Sequence, residues 1–404
     1  MRMKKYLILA VTAAIVAVGC TKTFEATPTP QPAIGFGTWL EHLTKAEARV
    51  QGTSTFLAGD TFAVYGSKTR ASGDPTVVTV FDDDVVEKGA SAWDYTNHRF
   101  WDSDYEHYIF YGVSPSAIGT AATVNAQTGA ITTAGITFAG DDNDILIAEK
   151  KTVDKGSDPY FNNYGTVNMV FNHAASLVDI KVKKAPSLAS ATVTVSALAL
   201  ENIQNAGVLT IGSDEYTKTT ATSSTAANII VGSWSSTGTG SYGPTSGVTK
   251  VYGDTDGTAA ISSSNKKVIS TDTAFNAETP ATPAASTDLI TSLVVKPQTF
   301  TAPTDRDNPT DASNASAQKL TITYQISVTD AASNTSTNEY SSTLWLYDFD
   351  GVDNDAQAAT YVGSWAPAKH YIFYVTIDAH EIKFSASIND WDATVINGYH
   401  YLVN

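Results

Sequence analysis

The chain has 404 residues, 41 acidic and 25 basic, with a formal net charge of −16. That balance argues against nucleic acid as a partner, which requires a basic surface, and it serves solubility instead. The length allows two or three domains. Abundant Thr, Ser, Val, Ile and aromatic residues, without heptads or long helical patterns, describe a β-rich extracytoplasmic protein.

The chain opens with a basic head, Met1 to Lys5, and a thirteen-residue apolar run from Tyr6 to Val18. Gly19 and the sole cysteine, Cys20, follow. This order predicts a secretory signal peptide over 1–19, too short to span a bilayer comfortably. Ala17-Val18-Gly19-Cys20 resembles a bacterial lipobox, which predicts lipidation of Cys20 and an outer-membrane anchor. An ordinary signal with an incidental cysteine is the alternative. Lipid chains on one cysteine hold firmly, at about 0.8 kcal/mol per buried methylene. Residues 20–33 then form a polar, proline-containing tether.

Strand signals recur beyond the tether. Ile34, Phe36 and Thr38 alternate with glycines and a tryptophan. Phe56 to Tyr65 alternates after a Gly59-Asp60 turn, Val77 to Phe81 is β-branched, and Tyr105 to Val113 ends at Ser114-Pro115. Ile131 to Phe138 and Asp144 to Ala148 follow. Val167 to Val182 is the strongest apolar segment, with Val178, Ile180 and Val182 alternating against charges. Thr192 to Ile203 and Val208 to Ile211 predict a hairpin around Asn205-Ala206-Gly207. Residues 212–285 are rich in Ser, Thr, Gly and Ala and read as long polar loops. Strands resume at Leu289–Val295, Lys319–Val328, Tyr340–Leu346, Lys369–Ile377 and Ile382–Trp391. Antiparallel strands at this spacing predict an all-β protein built of β-sandwiches.

Chemistry-bearing motifs are absent from the sequence. There is no nucleophile elbow, phosphate loop or zinc pair, and His380-Glu381 lacks the second histidine of a metalloprotease helix. Nothing calls for a cofactor, a metal or catalytic residues, and the chain is not expected to be an enzyme. Asp348 to Asp355 has the oxygen density of a calcium loop without the terminal glutamate, so it reads as an acidic turn. Asp82-Asp83-Asp84 and Asp141 to Asp144 also read as solvated turns. Trp93, Trp101 and Tyr108 read as core aromatics, and His173 as a core or edge histidine.

In order, the chain carries Cys20, Ile34-Gly35-Phe36, Arg49, Gly59 to Tyr65, Trp93-Asp94-Tyr95, Phe100-Trp101 and Tyr108 to Pro115. Then come Val170 to Ala175, Lys296-Pro297-Gln298, Leu320 to Tyr324, Tyr371 to Val375 and Ile388 to Trp391. This ordered set resembles the fimbrillin family, the type V pilins and related Mfa-like lipoproteins of the Bacteroidales. The resemblance implies two tandem transthyretin-like β-sandwiches, here 34–164 and 165–404. It implies a lipoprotein precursor that becomes a subunit of a cell-surface fimbria, supports adhesion and partners with other pilins. It also implies removal of an N-terminal strand by an arginine-directed protease. Arg49-Val50 is the first arginine bond after the lipid site, so 34–49 would be cut away and a groove opened for a donor strand.

The tail offers that donor. Tyr399, Tyr401 and Val403 alternate with His400, Leu402 and Asn404. A final strand folded back in cis is the alternative. Asp272-Thr273-Ala274 resembles an O-glycosylation motif of exported Bacteroidales proteins, marking Thr273. A different class of function also fits: an anchored, non-polymerising lipoprotein binding glycan or a host surface, with Trp234 as the sugar-stacking candidate.

Overall fold

The computed structural model describes residues 33–40, 56–71, 73–125, 128–138, 144–154, 166–212, 232–236, 267–268, 287–306, 308, 311–348, 350–352, 359–361, 363–378, 381–390 and 400–403. The regular elements among the described residues are almost all strands, as the alternating apolar pattern requires. Up to His173 these are β1 (Gly35–Leu40), β2 (Thr61–Thr69), β3 (Val78–Lys88), β4 (Trp93–Tyr95), β5 (His107–Ser114), β6 (Thr123–Val124), β7 (Ile131–Thr132), β8 (Ile136–Thr137), β9 (Leu146–Ala148), β10 (Lys151–Asp154) and β11 (Thr166–His173). A single-turn helix, α1 (Ser116–Gly119), follows β5. Next come β12 (Ser176–Lys184), β13 (Thr192–Glu201), β14 (Ala206–Ile211), β15 (Ser233–Ser236), β16 (Lys267–Val268), β17 (Thr287–Val295) and β18 (Gln298–Thr299). The last are β19 (Lys319–Thr329), β20 (Thr335–Trp345), β21 (Asp350–Val352), β22 (Ala359–Tyr361), β23 (Ser364–Trp365), β24 (Lys369–Ile377), β25 (Glu381–Asp390) and β26 (His400–Val403).

The first large sheet has the order β1-β11-β9-β5-β2-β3-β4, with β10 also on β5. Its central strands are buried on both faces, so they read as apolar runs rather than clean alternations. On β2, Phe62 and Val64 enter an aromatic-rich cluster, while Ala63 and Tyr65 join a larger cluster reaching the second half of the chain. The second large sheet runs β17-β12-β24-β25-β21-β22, with β26 on β25. Three further sheets, the pair β18-β23, then β16-β13-β19-β20, and last β15-β14-β7-β6 with β8, lie in the same fold. In the last, β14 pairs with both β7 and β8, joining strands from both sides of residues 164 and 165.

The apolar segment from Val167 to Val182 serves two sheets. β11 closes the first sheet between β1 and β9, although it follows the expected boundary at 165. β12 opens the second, between β17 and β24. The passage between them is pinned from both sides. The Ala174 N–H donates to the Ile145 carbonyl at 2.7 Å, and the Ala368 N–H to the Ala175 carbonyl at 2.8 Å.

Asp82-Asp83-Asp84 and Asp144 differ from the solvated turns expected of them, while Asp141, Asp142 and Asn143 lie outside the described residues. Asp82, Asp83 and Asp84 lie inside β3, where the register against β2 shifts. Asp83 takes φ +62° there, a left-handed conformation that Asp tolerates better than most residues. Asp144 has a fully buried carboxylate that meets His173 Nδ1 at 2.7 Å. Its place beside Ile145, at the entry to β9, forces that burial, and the histidine supplies the partner that burial demands.

Candidate functional site: the N-terminal strand and its groove

β1 is an edge strand, and Phe36 within it and Ile34 just before it are core residues. Ile34, just before it, is fully buried, and Phe36 is 5% exposed. The strand runs parallel to β11, with Gly35 opposite Thr166 and Phe36 opposite Val167. Parallel pairing needs no local turn between partners, so β1 is joined to the sheet by ladder and packing alone. Its glycines suit this docking. A Cβ on Gly37 would lie 2.5 Å from Asn168 Oδ1.

The Phe36 ring sits edge-on to four aromatics. Centroid distances are 5.4 Å to Phe81, 5.6 Å to Tyr95, 5.9 Å to Phe62 and 6.1 Å to Phe110. Trp101 and Tyr108 line the same cluster, fully buried and 4.9 Å apart, as read from the sequence, and Trp93 packs against it partly buried. Burying Ile34 and Phe36 contributes about 1.5–3 kcal/mol each.

A polar corner fixes where β1 begins. The Tyr95 hydroxyl donates to the Ile34 carbonyl at 2.7 Å. It accepts from the Arg99 N–H at 3.1 Å. The Ile34 N–H donates to the Arg99 carbonyl at 2.8 Å, and Ala33 forms an isolated bridge to Phe100. Arg99 is held in turn, its Nε donating to the Val80 carbonyl at 3.1 Å and its Nη2 lying 3.4 Å from Asp84. Burial pushes the Tyr95 phenol above its ordinary pKa, so it remains a donor. This corner was not legible in advance. Tyr95 and Arg99 become partners of Ile34 only through long-range pairing.

At the other end of the chain, β26 lies on β25 in antiparallel register. Tyr401 stands opposite Lys383, and Val403 opposite Glu381. Tyr399 lies outside the described residues, as do Cys20, Arg49, Val50, Thr273 and, in the acidic stretch, Phe349 and Asp353 to Asp355. Trp234, on β15, is half-buried. Its indole N–H donates to the Ala174 carbonyl at 2.9 Å, and its ring tilts against Phe138 at 5.5 Å. Among the described residues no group of three acidic, histidine or cysteine side chains could hold a metal ion. No helix among them is long and apolar enough to cross a membrane.

A fimbrillin-like family model matches residues 44–391. Among solved structures, the chain is similar to a fimbrial protein of Bacteroides vulgatus, with 18% identity and a TM-score of 0.50, covering 89% of this chain and 99% of that one. A protein of Bacteroides ovatus described as a cell adhesion protein covers 91% of this chain and 100% of its own, at 11% identity and a TM-score of 0.43. The tip fimbrial protein Mfa3 of Porphyromonas gingivalis, with a C-terminal truncation, covers 83% and 95%, at 8% identity and a TM-score of 0.34. No curated protein sequence matches the chain. With most of its length under one family model, the chain belongs to the fimbrillin-like family.

Proposed function

We propose that this chain is a structural, non-enzymatic subunit of a cell-surface fimbria that polymerises by donor-strand exchange and supports adhesion. The reading rests on β1. It is an edge strand that, with Ile34 just before it, places Ile34 and Phe36 in the core, and it connects onward through a stretch containing Arg49. Removing such a strand leaves unpaired backbone on β11 and an apolar slot, and an incoming strand satisfies both. In this scheme Cys20 carries the lipid that holds the precursor at the outer membrane. Cleavage between Arg49 and Val50 frees the anchor and the groove together. Tyr399, Tyr401 and Val403 of a neighbouring subunit enter the slot, and Thr273 carries a glycan. The subunit is then two tandem transthyretin-like sandwiches, with the passage between them at Ala174-Ala175.

Trp234, the leading residue of the anchored glycan-binding alternative, donates its N–H to Ala174 and tilts against Phe138, which favours a packing role. The deciding experiment treats the folded, purified precursor with an arginine-specific protease and images it by electron microscopy. Product beginning at Val50 is expected to form filaments that uncut precursor does not. Complete cleavage after Arg49 with no filaments at any concentration would overturn the proposal.

A further inference from the structure

β20 is the longest edge strand among the described sheets, at 11 residues. Exposed edges present a row of backbone N–H and C=O groups that templates pairing with another chain. Natural proteins blunt them with lysine, proline, bulges or short strands. β20 has none of these. Thr335 to Trp345 contains no lysine or proline, and its register against β19 runs from Thr329↔Thr335 to Lys319↔Trp345 without a shift. By contrast, β4 and β22 are 3-residue edges, and the register of β17 on β12 is broken.

Seven successive residues, Thr335 to Ser341, are exposed, so both faces of the strand are open. One face is a hydroxyl and amide ladder. Ser327 meets Thr337 at 2.7 Å, Thr329 meets Thr335 at 2.9 Å, and Gln325 donates to Glu339 at 2.8 Å. On the other face Tyr340, 44% exposed, stacks on Tyr324 at 5.6 Å. On a chain of net charge −16, this strand carries a single charge, Glu339.

We propose that the outer edge of β20 pairs antiparallel with β20 of a second copy of this chain, about a two-fold axis at Asn338. A two-fold antiparallel pair keeps each face continuous only when one residue lies opposite itself. Centring on Glu339 sets glutamate against glutamate, which is destabilising. Centring on Asn338, the middle of the exposed run, places Glu339 opposite Thr337 and Tyr340 opposite Ser336, so no like charges face each other. The two four-stranded sheets then continue as one. β20 and β1 belong to different sheets, so this contact is independent of donor-strand exchange and available to the uncut precursor.

The test uses the full, uncut chain carrying Cys20→Ser, with single cysteines added under mild oxidation by oxidised glutathione. Residues directly opposite in an antiparallel pair have Cα atoms about 4.5–5.5 Å apart, within disulfide reach. Asn338→Cys is expected to give a covalent dimer on a non-reducing gel, and Ser336→Cys alone is not. Mixed Ser336→Cys and Tyr340→Cys chains are expected to cross-link. Sedimentation of the cysteine-free chain is expected to show a dimer fraction that grows with concentration and disappears in Asn338→Lys. A monomer at all concentrations overturns the proposal. So does equal cross-linking of Ser336→Cys and Asn338→Cys, which marks random collision.

Discussion

The Tyr95 hydroxyl and the Ile34 carbonyl, 61 positions apart in sequence, form a buried 2.7 Å hydrogen bond. Through it, the end of β4 reads the backbone at the start of the N-terminal strand. The contact makes no demand on the side chain at 34, because it addresses a carbonyl. It therefore sets where a strand must start in the slot, while the aromatic walls around Phe36 set which side chain fills it.

Two substitutions separate these roles. Tyr95→Phe keeps the ring in the cluster and leaves the Ile34 carbonyl without that donor, at a cost of about 1–3 kcal/mol. Phe36→Ala empties a slot lined by four rings, at about 3–5 kcal/mol. Denaturant melts should rank them in that order, with hydrogen exchange rising first in β1. Wild-type exchange along β1 in Phe36→Ala would remove this strand from the core.

A peptide of residues 33–40 carries both anchors and the backbone that meets Arg99 and Tyr95. In excess it is expected to occupy the emptied slot of protease-treated subunits and stop filament growth. The same peptide with Phe36→Ala is expected to be far weaker. Equal inhibition by both, or by neither, would show that the slot is not the assembly site.

Cys20→Ala is expected to abolish lipid labelling and release the protein from the membrane fraction, since one cysteine follows the apolar run. Unchanged detergent partitioning of the variant would refute lipidation.

Alkali gives a test that needs no mutation. Burial pushes Tyr65, Tyr108, Tyr111 and Tyr371 up to about 12, against about 10 in an unfolded chain. Above pH 10 the folded state thus holds protons that the unfolded state has lost. The stability these groups contribute is complete below pH 10 and is lost as pH climbs towards 12. Tyrosinate absorbance is expected to show some of the 19 tyrosines titrating near 10, and these four only with the unfolding seen by circular dichroism. Titration of all tyrosines near 10 in a folded protein would contradict the buried positions.

Much of the strand inventory was legible because its cause is local. Tyr105–Val113, Lys319–Val328 and Lys369–Ile377 appear as β5, β19 and β24 within a few residues. The Asn205-Ala206-Gly207 hairpin was not. β13 pairs with β19 and β16, and β14 pairs with β7, β8 and β15. Periodicity reports that a segment is extended and which side is apolar, but it carries no information on the partner. The same limit hid the burial of Asp144, whose histidine partner lies 29 positions away. Ile34 and Phe36 were readable as alternating apolar residues, and the clamp that receives them was not.

The C-terminal strand offers the sharpest choice, because β26 occupies a sheet edge with only four ladder pairs, Glu381↔Val403 to Phe384↔His400. A strand that short makes few of the contacts that hold a fold together, and terminal strands are the parts of a structure that open most readily. Under the proposed exchange it would leave β25 and add to another subunit. Deleting Tyr399 to Asn404 is thus expected to lower the melting temperature of the monomer by no more than a few degrees, as about 1 kcal/mol does in domains of this size. The same deletion is expected to abolish filaments after protease treatment, since a donor strand contributes to its neighbour's stability. Thermal melts and electron microscopy of the truncated, processed protein decide the matter. Filaments from the truncated chain would eliminate the donor role. A drop of ten degrees or more would assign β26 to the fold of its own subunit.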